Sequence, residues 1–186
     1  MVKRQRFGRG DTIIEVMIAF SIFAMIAVGA MTIMNRSTAI AQRSLEVTQV
    51  RAQIDTQAEL LRYVHGRYTT QYPAADSVWS AILGKVKSPA GLTPFGQCSA
   101  SGSSGQFFLT ENGMVSSNIQ ESAPASGTLP PYAQVYGSQA YGLWIEAVRG
   151  GSVSPRYIDF HIRACWDGAG STVPVTLGTI VRLYEP

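Results

Sequence analysis

The stretch Arg9-Gly10-Asp11-Thr12-Ile13-Ile14-Glu15-Val16-Met17-Ile18-Ala19-Phe20 decides how this chain is organised. It opens an apolar run that lasts to Met34, in which Glu15 is the only charged residue and Ser21 and Thr32 are the polar interruptions. As a helix, roughly 22 residues at about 1.5 Å of rise each extend about 33 Å, enough to cross a bilayer. Ahead of the run stand Lys3, Arg4, Arg6 and Arg9, with no acid among them. That excess of bases predicts a cytoplasmic N-terminus and an exported remainder, although Arg36 and Arg43 lower the contrast.

Three readings suit such a segment: an uncut membrane anchor, a secretory signal peptide cut near Val28-Gly29-Ala30, or a short leader cut ahead of the helix. Glu15 separates them. A carboxylate in an apolar stretch costs about 3 kcal/mol in lipid, and it serves neither an anchor nor a signal peptide.

The quoted run resembles the signature of type IV prepilins: a basic leader ending in Gly, a residue to be exposed, Thr, two aliphatics, Glu and an apolar helix. The resemblance implies that a prepilin peptidase in the membrane cuts between Gly10 and Asp11. The new amine of Asp11 is then the candidate for N-methylation, and Glu15 is the acid used in filament assembly. One position departs, since the family most often has Phe, or another apolar residue, where this chain has Asp11. The implied partners are other pilin subunits, the peptidase, an inner-membrane assembly platform and its cytoplasmic ATPase. The implied location is the bacterial cell membrane as a single-pass precursor with a cytoplasmic N-terminus, then an extracellular pilus-like filament.

Thr12 and Glu15 also carry a local reading. They have the spacing of a capping box, with Thr12 receiving the Glu15 amide and the Glu15 side chain reaching back to the Thr12 amide. Asp11 suits a helix N-terminus electrostatically. Capping and charge pairing in a filament compete for the same Glu15 oxygens.

Charge and cysteines bound the remainder. The 186 residues carry a formal charge of +3 and a pI near 9.0, from 15 Lys plus Arg and 12 Asp plus Glu. Setting aside the four leader bases leaves eleven against twelve acids, so the basic pI reports membrane topology and supports no DNA-binding face. Cys98 and Cys165 both lie in the exported part, where an even count predicts a disulfide.

Past Met34 the sequence turns amphipathic. Ile40, Val47, Ile54, Leu61 and Tyr68 recur every seven residues, with Val50 and Val64 beside them, while Arg43 and Gln57 break a coiled-coil seam. The stripe is expected to pack on a sheet of the same chain, with a helix near 80 Å long from Thr12 to about His65, ended at Gly66 and Tyr72-Pro73. Ser77 to Val86 predicts a short helix or turn. Strands are expected over Gln106 to Thr110, Met114 to Ile119, Tyr132 to Tyr136, Tyr141 to Val148, Arg156 to Trp166 and Thr179 to Tyr184. Glu111-Asn112-Gly113 reads as a hairpin turn. Cys98 to Gly105 and Glu121 to Pro131 read as loops.

Catalysis finds no support. There are two histidines, His65 and His161, and no Cys-x-x-Cys, His-Glu-x-x-His or Gly-x-x-x-x-Gly-Lys-Ser/Thr motif. Asp167 to Thr172 reads as a turn, and His161 with Asp159 and Arg163 as a surface cluster rather than a metal site. Tyr132, Tyr136, Tyr141, Trp144, Tyr157 and Trp166 read as core rather than as a binding patch.

The expected protein is α+β: a long N-terminal helix, half transmembrane and half amphipathic, packed on a C-terminal antiparallel sheet of four to six strands. Its parts are a leader over 1–10, a transmembrane and filament-core helix over 11–34, an amphipathic continuation over 35–68 and an exported β-rich domain over 69–186. No cofactor, metal or catalytic residue is expected. The resemblance favours a minor pilin. A pseudopilin of a type II secretion or DNA-uptake machine stays open, as does an exported binding protein with a conventional signal segment.

Overall fold

The structure, a computed structural model, describes residues 11–70, 77–94, 96–98, 105–120, 132–151 and 156–185. The chain divides into two compact units, one ending at Gln42 and one beginning at Arg43.

Helix α1 spans Asp11–Thr70. Its 60 residues include no Pro and only two Gly, Gly29 and Gly66. Gly66 does not end the helix as expected. A glycine inside a helix costs only about 1 kcal/mol. The following turn is held by Thr70 Oγ1, which donates to Gly66 O at 2.9 Å, and by the Tyr68 ring, stacked 5.6 Å from Trp79.

In the unit beginning at Arg43, α1 buries Val50, Ile54, Gln57, Ala58, Leu61 and Val64. Their spacing of three and four residues is one helical face. Val47 and Tyr68 are partly buried against it, whereas Ile40, the first residue of the expected stripe, is 70% exposed and lies in the other unit. The face packs against a five-stranded antiparallel sheet in the order β2-β1-β6-β7-β8. Its strands are β1 (Gln106–Leu109), β2 (Val115–Ser116), β6 (Leu143–Gly150), β7 (Tyr157–Trp166) and β8 (Val175–Tyr184). A second sheet of three strands, β3 (Ile119–Gln120), β5 (Gln139–Tyr141) and β4 (Gln134–Tyr136), includes one parallel pair, β3 with β5. Helix α2 (Ser77–Leu83) buries Trp79 and Ile82, and Trp79 meets Phe160 of β7 at 6.0 Å between ring centres.

Strand β7 follows its alternation closely. Ile158, Phe160, Ile162, Ala164 and Trp166 are buried on one face, while Tyr157, Asp159, His161 and Arg163 are half-buried on the other. Three other expectations need correcting. The run from Met114 to Ile119 is broken where Ser116 Oγ accepts from Asn118 N and Ile119 N turns back to Ser117 O, so β2 and β3 enter different sheets. The run from Tyr141 is likewise divided at Gly142, where φ is +58°. Strand β8 begins at Val175 rather than Thr179, carrying Gly178 inside it. A Cβ there would stand 3.0 Å from Ile162 O, so any larger residue would crowd the backbone of β7. The hairpin at Glu111-Asn112-Gly113 forms as expected, with Gly113 at φ +72° and Thr110 N donating to Met114 O at 2.9 Å.

Candidate functional site

In the unit ending at Gln42, α1 presents apolar side chains on every side. Ile13, Phe20, Phe23, Met25, Val28, Met31 and Met34 are all more than half exposed, Met25 reaching 77%. Ser21 and Thr32 turn their hydroxyls inward, donating to Met17 O at 2.8 Å and Val28 O at 2.9 Å, so neither opposes an apolar surrounding. Among the described residues this is the one helix long and apolar enough to cross a membrane, and it fits a single-pass anchor. So large an exposed apolar surface requires lipid or protein around it.

Glu15 is the only charged residue between Ile13 and Met34 and is itself exposed. Among the described residues neither the Thr12 nor the Glu15 side chain has a hydrogen-bond partner. Asp11 is already helical, so the start of α1 falls at or before it. The N-cap position, Gly10 and the whole leader lie outside the described residues, as do most of the two expected loops.

Cys98 and Cys165 form a disulfide, with Cα atoms 5.5 Å apart. Close to it is a polar cluster that sequence reasoning missed. Register sets Ile145 opposite Ile162 and Glu146 opposite His161, so Trp144, Glu146 and Val148 occupy the sheet face turned away from α1. Glu146 is fully buried. It accepts from Lys87 Nζ at 3.1 Å, Thr93 Oγ1 at 3.0 Å and Thr93 N at 3.3 Å, and Arg163 Nη1 stands 3.6 Å away. Arg163 also donates to Thr93 O, and Gln106 Nε2 donates to Thr93 Oγ1 at 3.4 Å. Burial pushes the Glu146 carboxyl up, but the hydrogen bonds from Lys87 and Thr93 together with the Lys87 charge outweigh it and hold the group below its ordinary range. With its oxygens engaged by three residues, the carboxylate locks a loop onto the sheet. The readable signal was a lone acid inside the apolar run Tyr141 to Val148; nothing in the sequence identified Lys87 or Thr93 as its partners.

Two more buried polar residues come from α1. Glu46 accepts from Trp166 Nε1 and Ala169 N, each at 3.2 Å, and so fastens the turn 167–172 to the helix. Gln57 bonds the backbone of Leu109. Among the described residues no three His, Cys, Asp or Glu side chains gather as a metal site. His161, beside Asp159, Arg163 and Glu146, is held below its ordinary pKa, first by burial and then by the Arg163 charge. Of the aromatic residues read as core, Trp144 and Trp166 are buried, while Tyr136 is 64% exposed.

The architecture is pilin-like: a long apolar N-terminal helix whose later turns pack on an antiparallel sheet. No protein-family model, curated protein or solved structure matches the chain.

Proposed function

We propose that this chain is a type IV pilin-like structural subunit, a minor pilin, matured by cleavage between Gly10 and Asp11 and assembled into a filament. The observation that carries the reading is the exposed apolar stretch of α1, with Glu15 as its single charge and directly preceded by Arg9-Gly10-Asp11-Thr12. In a membrane the stretch is solvated by lipid. Extraction into a filament replaces lipid with the helices of neighbouring subunits, and Glu15 then meets the new amine of an adjacent Asp11. The partners are the prepilin peptidase, the membrane platform with its ATPase, and other pilins. The protein acts without catalysis, and nucleic acid is not required.

A cut near Ala30 suits the chain less well. A cut there would discard Glu15 with the leader and leave that charge without a role. Mass spectrometry of the mature N-terminus tests the reading. A start at Asp11 is expected; a start at Met31, or an intact leader in cells that possess the peptidase, overturns it. The pseudopilin alternative is separated by location, since a pseudopilin stays in the cell envelope and a minor pilin appears in sheared surface filaments.

A further inference from the structure

The cover over Glu146 is a short run, Lys87–Pro94, with a single 3-10 turn at Pro89–Gly91. Its first residue is docked by the Lys87 amide, which donates to Ala147 O at 2.8 Å. Its last anchor is Thr93, whose amide and hydroxyl serve Glu146 while its carbonyl serves Arg163. Beyond Thr93, among the described residues of 94–98, the disulfide is the one covalent or hydrogen-bonded tie to the sheet. The Gln97 amide only turns back to Pro94 O at 3.2 Å. The tie lands on Cys165, two residues from Arg163 on the same strand. The latch is therefore one pleat from the guanidinium that Thr93 caps.

The cover's contacts with Glu146 and Arg163 are polar. For Glu146 the bonds from Lys87 and Thr93 outweigh the cost of burial, but opening returns these charges and hydrogen bonds to water, which replaces most of their strength. A covalent tie beside contacts that water can replace decides how often the segment opens.

We propose that the Cys98–Cys165 disulfide is a redox latch: oxidised, it keeps Lys87–Pro94 closed over Glu146 and Arg163; reduced, it lets that segment open locally while α1 and strands β6 to β8 stay folded. Cys98 is exposed and Cys165 is 2% exposed, so a reducing dithiol approaches from the Cys98 side. Its thiolate attacks Cys98 Sγ, the S–S bond breaks, and Cys165 leaves as a thiolate that takes up a proton. The second thiol of the reductant then resolves the mixed disulfide, leaving the reductant oxidised and both cysteines as thiols. An exported chain would thus close its cover only after oxidation. This inference needs an exported domain and does not depend on filament assembly.

Hydrogen exchange on the full chain in detergent, oxidised and after dithiothreitol, tests the latch. Reduction is expected to speed exchange across Lys87–Pro94 by about tenfold or more, with protection retained at Val50–Val64 and in β7. Cys98→Ser should reproduce the reduced pattern and resist reoxidation. Unchanged exchange in Lys87–Pro94 would overturn the proposal, because the cover would then hold without its latch. Loss of protection throughout α1 and β7 would overturn it equally, showing a general staple instead of a local switch.

Discussion

Gln57 and Leu109 exchange two hydrogen bonds across 52 residues of sequence: Gln57 Nε2 donates to Leu109 O at 2.7 Å, and Leu109 N donates to Gln57 Oε1 at 2.8 Å. Strand β1 pairs with β6 only through Gln106 and Phe107. Past that point the side-chain amide of the helix stands in for a neighbouring strand and satisfies the last backbone groups of β1. Gln57→Leu would leave a buried N–H and C=O without partners and should destabilise the domain by about 2–4 kcal/mol. Urea unfolding of the detergent-solubilised chain measures this; a loss below about 0.5 kcal/mol, the scale of a neutral surface change, would contradict it.

Glu46 binds the turn after β7 to the helix through Trp166 and Ala169. Glu46→Gln keeps an acceptor oxygen and should be mild. Glu46→Ala should cost about 1–3 kcal/mol and loosen residues 167–172. Limited proteolysis reads the second effect: cleavage in that turn should rise for Ala and not for Gln.

Stability should fall in two steps as pH is lowered. His161 has a folded pKa below its ordinary 6.5, so the folded state binds fewer protons there than the unfolded chain. Its contribution is complete above pH 6.5 and is lost as pH falls toward the folded value. Glu146 is depressed below 4.5, so its contribution is complete above that value and is lost at still lower pH. The groups facing His161 are Asp159 and Arg163 on its own strand and Glu146 on β6. Denaturation midpoints measured from pH 8 to 3 should lose the upper step in His161→Gln and the lower one in Glu146→Gln. A parent midpoint that does not fall over this range would refute both assignments.

Glu15→Gln and Glu15→Ala should still be processed and inserted in the membrane yet incorporate poorly into filaments. Asp11→Phe should incorporate at least as well as the parent, because it removes a negative charge beside the new amine. Rescue by Gln alone would favour the capping role, since its amide oxygen can still accept. The ratio of filament-bound to membrane-bound protein decides among these, and full incorporation of Glu15→Ala would exclude charge pairing.

The sequence by itself determined the elements whose signal is periodic or local. A 22-residue apolar run, the buried turns of α1 from Val50 to Val64, the alternation of β7 and the Asn112-Gly113 hairpin were all legible, because each is dictated by side chains within a few residues of one another. The disulfide followed from an even cysteine count in an exported segment. Tertiary structure alone decided the rest. Gln57 reads as a seam-breaker and nothing local marks Glu46 or Glu146 as buried, yet all three are, because a partner distant in sequence supplies the hydrogen bonds of each. Gly66 reads as a stop and is passed, since Tyr68 stacks on Trp79 beyond it. The extra strands fall where Gly142 and Ser117-Asn118 turn the chain between sheets, and which sheet receives each piece depends on pairing with strands elsewhere in the sequence. Local propensity cannot carry that information, because the free energy of burying a polar group is set by whichever partner the fold brings to it.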